Sequence, residues 1–284
     1  MTRPDFPGGL SDIAAQYDTI FCDVWGVIHN GRRAYEAACD ALMNFRKGGG
    51  TVILITNAPV PKAQVISYFK PMGVPDEAFD DCVSSGDATR AELKRRSHEK
   101  IWRMGVDGGW ERDAFLYKGL DLNFVPPEEA ETLLCIGLED QVNDDPEDYR
   151  ERLKLGVSRS MPMICANPDI KVRVGDQLVW CAGALARIYE DEGGEVIYPG
   201  KPHSAIYRLA AELAESVRGK PPENVLCIGD SPATDMRGAL MHGHDGLYVG
   251  TGLAEHGPDF EGELIALLQE YDTSARWAMP ALRW

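Results

Sequence analysis

Apolar runs that end on a carboxylate or a hydroxyl recur along this chain, and they constrain its fold more than any other feature. The first is Thr19-Ile20-Phe21-Cys22-Asp23-Val24-Trp25-Gly26-Val27-Ile28. It is β-branched and aromatic, almost free of polar residues up to Asp23, and broken by a glycine, as expected of a buried parallel strand. Thr51-Val52-Ile53-Leu54-Ile55-Thr56-Asn57 and Asn224-Val225-Leu226-Cys227-Ile228-Gly229-Asp230 repeat the pattern. Between the first two, Tyr35 to Lys47 has helical spacing, with Ala38, Leu42 and Phe45 on one face and Gly48-Gly49-Gly50 as its stop. Pro61 opens a further helix to about Phe69. Cys82 to Ser85 reads as a short strand and Ala88 to Ser97 as a helix. Strand and helix alternating at these lengths imply βαβ units and a parallel sheet.

From about Lys100 to Val179 the character changes. Strands are expected at Leu133 to Gly137 and Met163 to Ala166, a turn at Asn143-Asp144-Asp145-Pro146, and a helix near Pro146 to Lys154. Gly105, Gly108, Gly109 and Gly119 interrupt one part of this region. Trp102, Trp110 and Trp180 fall in it, and packing is their default role. The first pattern then resumes with helices at Ala182 to Glu192, Ser204 to Arg218 and Thr234 to Met241, and a strand at Gly246 to Val249. A smaller α/β unit is therefore inserted into a doubly wound, Rossmann-like parallel sheet.

The formal charge of −16 argues against nucleic acid or an anionic membrane as the main partner, since both want basic surface, but leaves a small phosphorylated ligand open. The 7 cysteines are scattered and never spaced Cys-x-x-Cys, which points away from a disulfide framework or zinc knuckle and toward a reducing compartment. No apolar leader core lies within Met1 to Gly9, and no later run reaches the length of a membrane span, so the cytoplasm is the default.

In a parallel sheet the strand ends at Asp23, Thr56-Asn57 and Asp230 share one edge, where open α/β sheets bind ligands. A lone strand-end aspartate is equally well explained as the cap of the next turn. Two carboxylates with a hydroxyl and an amide make an oxygen-rich set suited to Mg²⁺. One carboxylate could then attack phosphorus while the cation neutralises phosphoryl oxygens. Gly200-Lys201-Pro202 offers a lysine ahead of a helix, apt for a phosphate.

Together these residues resemble the haloacid dehalogenase superfamily. Its first motif appears as Asp23-Val24-Trp25-Gly26-Val27, its second as Ile53-Leu54-Ile55-Thr56-Asn57, its third as Gly200-Lys201-Pro202 and its fourth as Gly229-Asp230-Ser231-Pro232-Ala233-Thr234-Asp235. Each is weak alone; the set, in order and spanning almost the whole chain, is specific. Ala166-Asn167-Pro168-Asp169 is similar to the subgroup with an α/β cap between the second and third motifs, which includes 4-nitrophenyl, nucleotide, sugar and pyridoxal phosphate phosphatases. The resemblance implies a catalytic core over residues 1–92 and 185–284 with a cap over 93–184. It implies that Asp23 is a nucleophile forming an aspartyl phosphate, and that Thr56 and Asn57 hold phosphoryl oxygens. Lys201 would bind phosphate and steady Asp23. Asp230, with Asp23 and the main-chain carbonyl of Trp25, would bind Mg²⁺, supported by Asp235. Asn167 and Asp169 fall where the cap recognises substrate, although an Asn-Pro-Asp turn alone also explains them. Caps of this subgroup can form dimer surfaces, so a homodimer stays open.

Trp25 departs from the family, which usually has a general acid–base aspartate there. An indole N–H cannot usefully trade protons at neutral pH. Such help is worth roughly 10²–10⁴-fold, so its loss should slow turnover without preventing attack. The expectation is a Mg²⁺-dependent phosphatase for a small phosphorylated metabolite. A phosphoryl or phosphono transfer enzyme, and a catalytically silent sensor of a phosphorylated ligand, are the alternatives. His29, Asn30 and His203 are expected near the site without a catalytic task, and His242 and His244 in a solvated turn.

Overall fold

The computed structural model describes residues 3–105, 115–174, 177–252, 254 and 256–284. Trp110, Gly108 and Gly109 lie outside the described residues. The chain divides into two compact α/β units, one formed by Met1–Thr56, Ile66–Val83 and Tyr207–Trp284, the other by Asn57–Val65 and Ser84–Ile206.

The first unit is built on a six-stranded sheet. Its strands are β1 (Thr19–Cys22), β2 (Thr51–Thr56), β3 (Asp81–Ser84), β11 (Val225–Gly229), β12 (Asp245–Val249) and β13 (Trp277–Met279). They lie in the order β13-β12-β11-β1-β2-β3. β1 is parallel to both its neighbours, with Thr19 level with Thr51 and Val225, and Cys22 level with Leu54 and Ile228. Every residue of β1, β2 and β11 is buried, as their continuous apolar runs require. Strand order runs outward from β1 to one edge and from β11 to the other, so the topological switch point lies between them. That is where ligands settle in doubly wound sheets.

α1 (Glu36–Lys47) connects β1 to β2 and buries Ala38, Cys39, Ala41, Leu42 and Phe45. The chain leaves it through Gly49 at φ 91°, and a side chain at Gly50 would strike the Phe45 ring. The helix expected from Pro61 to Phe69 is instead two short pieces, α2 (Lys62–Ser67) and α3 (Phe69–Met72). Pro71 is the reason: without an N–H it fits only the first turn of a helix, so a new one starts at Phe69.

The second unit carries β4 (Lys100–Met104), β5 (Asn123–Phe124), β6 (Thr132–Cys135), β7 (Met163–Cys165) and β10 (Val196–Ile197). They form a five-stranded parallel sheet in the order β10-β7-β6-β4-β5. α5 (Arg150–Ser158) and α6 (Ala182–Asp191) bury Leu153, Leu185 and Tyr189 against Trp102, Met104, Leu133 and Met163. Leu93 of α4 (Ser85–Arg95) and Leu116 pack with Ile101, Leu134 and Ile164 in a second cluster. β8 (Lys171–Val174) and β9 (Gln177–Trp180) form a separate antiparallel hairpin. Among the described residues no helix is long and apolar enough to cross a membrane.

Candidate active site

Asp23 follows the last residue of β1, and its N–H donates to the Ile228 carbonyl at 2.8 Å, so the strand pairing continues one step past Cys22. Asp230 follows the last residue of the neighbouring β11. A five-residue π-helical turn, Pro232–Met236, brings Asp235 back beneath them. Its start is capped by Ser231, whose Oγ accepts from the Thr234 N–H at 3.3 Å, while Asp235 Oδ2 accepts from the Ser231 N–H at 3.1 Å. π turns of this kind gather at functional sites. Here the turn replaces the first part of the helix expected from Thr234, and α8 (Arg237–Met241) follows it.

Asp23, Asp230 and Asp235 thereby offer one carboxylate oxygen each within 4.8 Å of one another. They are 7%, 7% and 3% exposed. All-oxygen donors with a high charge density fit a hard divalent ion such as Mg²⁺. The backbone is shaped around these side chains. A Cβ at Gly229 would lie 2.1 Å from the Asp235 carboxyl carbon, and one at Gly252 only 1.4 Å from Asp230 Oδ2. Gly26, at φ 84°, would place its Cβ 2.6 Å from the same oxygen. Thr56, the last residue of β2, is buried in this unit as well.

Trp25 is half-buried on the turn after Asp23. Its indole Nε1 is fully buried with no hydrogen-bond partner among the described residues, and faces the position where Gly31 lacks a side chain. His29 is buried against the Phe69 ring, and its Nδ1 accepts from the Gly31 N–H at 3.0 Å. Burial pushes its pKa down to about 4, so the ring is neutral at pH 7 with its proton on Nε2. Asn30 is spent locally, its Oδ1 accepting from the N–H groups of Arg32 and Arg33 at 3.0 Å each.

The second unit gathers Asn57, Asn167, Asp169 and Lys201. Asn57 is 3% exposed, and both the nitrogen and the oxygen of its amide are hydrogen-bonded. Oδ1 accepts from the Lys201 N–H at 2.8 Å; Nδ2 donates to Asp169 Oδ1 at 2.9 Å and to the Lys201 carbonyl at 3.3 Å. Asn167 Oδ1 accepts from the Asp169 N–H at 3.1 Å, and the Asn167 carbonyl accepts from the Gly183 N–H at 2.8 Å. Side chains at Gly183 and Gly200 would collide with the Pro168 carbonyl and with Asn57 Oδ1, at 2.2 and 2.6 Å. Lys201 is 2% exposed. His203 stacks on Tyr198 at 4.7 Å. His242 stacks on Tyr207 at 4.2 Å and His244 meets the Phe21 ring edge-on at 5.9 Å, and burial lowers the His244 pKa, so these two rings are half-buried against aromatic neighbours rather than fully solvated.

Sequence reasoning passed over the loop after β12. Thr251 Oγ1 donates to the Gly26 carbonyl, and the Tyr35 hydroxyl donates to the Thr251 carbonyl at 3.2 Å. A signal was present: Gly246 to Val249 is an apolar strand soon followed by a hydroxyl, as the apolar run of β2 ends on Thr56.

A model of haloacid dehalogenase-like hydrolases matches residues 20–114, and a second model of similar hydrolases matches residues 198–264. The crystal structure of a haloacid dehalogenase-like family hydrolase from Brucella suis is 40% identical, with a TM-score of 0.85, over 98% of this chain and 100% of that one. This chain belongs to the haloacid dehalogenase-like family. Two curated relatives from Bacillus subtilis are more distant. The 5'-nucleotidase YutF is 23% identical over 84% of this chain and 89% of its own. The sugar-phosphatase AraL is 26% identical over 86% of this chain and 89% of its own.

Proposed function

We propose that this haloacid dehalogenase-like protein is a phosphoric monoester hydrolase acting on a small phosphorylated metabolite through an aspartyl phosphate on Asp23. The observation that carries the reading is the convergence of Asp23 with Asp230 and Asp235 at the switch point of the sheet. The activities named for the two Bacillus relatives, on nucleotides and on sugar phosphates, support the same class of substrate.

In the first step an Asp23 carboxylate oxygen forms a bond to phosphorus as the bond to the leaving oxygen breaks. In the second, water attacks phosphorus, releasing phosphate and restoring the carboxylate. A bound Mg²⁺, held by Asp23, Asp230, Asp235 and the Trp25 carbonyl, would neutralise phosphoryl charge as it develops. Thr56 donates a hydroxyl hydrogen bond to a phosphoryl oxygen, and Lys201 pairs with phosphate charge. Asn57 acts on the phosphate through Lys201, because both N–H groups of its amide already go to Asp169 and the Lys201 carbonyl. Asn167 and Asp169 belong to the substrate-recognising region of the cap, residues 93–184.

Trp25 offers no proton to the leaving group, since its N–H is buried, and His29 is deprotonated at neutral pH. The leaving oxygen therefore takes its proton from water or from the substrate. The same feature favours a second reading, phosphoryl transfer to an acceptor that supplies the missing acid. The 7 free, buried thiols support a reducing, cytoplasmic setting.

The test is phosphate release across a panel of phosphorylated metabolites, with and without Mg²⁺, using Asp23→Asn as the blank. Release that needs Mg²⁺ and falls to background in Asp23→Asn is the expected result. Release that continues at the wild-type rate in that variant would overturn the mechanism, and turnover seen only with an added acceptor would decide for transfer.

A further inference from the structure

The loop after β12 touches the proposed metal cluster in a way the four motifs do not describe. Asp230 sits at the end of β11, flanked by the turn after β1 and by the loop after β12. Its Oδ2 lies where a Cβ of Gly26 or of Gly252 would fall, at 2.6 and 1.4 Å, so the carboxylate is enclosed by bare backbone from both sides. The two backbones are themselves tied together. Thr251 Oγ1 donates to the Gly26 carbonyl, and the Tyr35 hydroxyl, at the threshold of α1, donates to the Thr251 carbonyl at 3.2 Å. Burial, and then the Asp230 charge, raise the pKa of Tyr35, which keeps its hydroxyl protonated and able to donate. Farther along, His256 Nε2 and the Tyr248 hydroxyl share a hydrogen bond at 2.9 Å that ties the loop back to β12.

We propose that Thr251, with Tyr35 and Gly252, is a positioning clamp that holds the Gly26 turn and Asp230 in the arrangement that binds Mg²⁺. The proposal rests on the reading that Asp23, Asp230 and Asp235 form the metal site. Thr251 touches neither phosphate nor metal; it acts by fixing the backbone on both sides of a ligand, which restricts the Asp230 rotamers before the ion arrives. Partners of this kind in metal sites change affinity by about 10–100-fold when removed. Preorganisation of the ligand shell is the cause, because a carboxylate free to swing must be ordered on binding.

The experiment measures Mg²⁺ binding by the full chain alone, without substrate, from calorimetric titration and from the Mg²⁺ dependence of its thermal midpoint. Thr251→Val removes the hydroxyl at nearly constant volume, Thr251→Ser restores it, and Tyr35→Phe removes the second tie. Weaker Mg²⁺ binding by about 10–100-fold in Thr251→Val, with Thr251→Ser within about threefold of wild type, is expected. A merely structural role predicts a lower midpoint without Mg²⁺ and unchanged affinity, and that result would overturn the clamp. Should Thr251→Val fail to fold, Tyr35→Phe decides by the same titration: wild-type affinity refutes the clamp. A wild-type protein that binds no Mg²⁺ would instead remove the metal reading, and the clamp with it.

Discussion

Replacing Asn57 by Asp turns one amide nitrogen into an oxygen and sets a second carboxylate against Asp169. The two groups now meet at 2.9 Å, at a residue only 3% exposed. At that separation and an effective dielectric near 20, two unit charges repel by about 6 kcal/mol. Folding free energies are only about 5–15 kcal/mol, so the pair has strong reason to bind a proton instead. Keeping a proton on a carboxyl of ordinary pKa, near 4, costs about 1.4 kcal/mol for each pH unit above that value, hence about 4 kcal/mol at pH 7. Protonation is the cheaper route, and it restores a donor where the amide N–H had been. The folded pair thus titrates above its unfolded value and binds more protons folded than unfolded, so stability falls as pH rises. The loss should be small near pH 4, grow by about 1.4 kcal/mol per pH unit, and level off near 6 kcal/mol at about pH 8.

Urea unfolding of wild type and Asn57→Asp between pH 5 and 8, in a metal chelator to remove cation linkage, reads this difference directly. Asn57→Ala is the control, because it deletes the same hydrogen bonds without adding charge. Its cost, about 3 kcal/mol from partners left unsatisfied, should not change with pH. A pH-independent loss in Asn57→Asp would refute the argument, and would mean that Asn57 and Asp169 are not in contact in solution.

Trp25→Asp returns a carboxyl to the turn after Asp23 and should raise turnover of alkyl phosphates by about 100-fold, the lower end of the range expected of general acid catalysis. It should leave 4-nitrophenyl phosphate, whose leaving group needs no proton, nearly unchanged; equal gains on both would disprove the role assigned to the lost proton. His29 is held neutral by burial, with its pKa lowered from 6.5 to about 4. The unfolded chain binds the extra proton in that window, so stability should fall by about 3 kcal/mol as pH drops through it. His29→Gln should remove that part of the pH dependence, read from urea midpoints between pH 4 and 7.

Much of the first unit was legible because its strands are buried on both faces and therefore apolar throughout. β1, β2 and β11 lie within the runs that announce them, and α1 shows its buried stripe at helical spacing. Elements that pack with mixed chemistry were not legible. β4 reads Lys-Ile-Trp-Arg-Met, yet Ile101, Trp102 and Met104 are buried, and Arg103 lies over the Tyr117 ring while donating to its hydroxyl at 2.8 Å. A stacked arginine lets a charged residue sit in a central strand, and no periodicity rule anticipates the stacking partner. β13 is three residues long, and α9 (Phe260–Glu270) buries only Leu264 and Leu268, so neither carries enough pattern to stand out. The π turn at Pro232–Met236 is likewise a product of side chains, Ser231 and Asp235, closing on backbone N–H groups.

The candidate site divides along the same line. Which residues matter at a strand end follows from composition, because a polar group after a buried apolar run must find a partner or a ligand. What each residue does depends on which of those two it found. Asn57 has the right chemistry to hold a phosphoryl oxygen, yet both N–H groups of its side-chain amide and one lone pair of its Oδ1 go to Lys201 and Asp169. Asp230 has the chemistry of a helix cap, yet it faces two other carboxylates, beside glycines where any side chain would strike it. Thr251-Gly252 satisfies the same strand-end rule as Thr56-Asn57, and reading the rule evenly at every strand would have found it. The glycines sharpen the rule further. Where a strand-end acid and distant glycines recur together, the glycines mark the backbone that must approach the carboxylate, and so separate an acid built into a site from one that merely caps a turn.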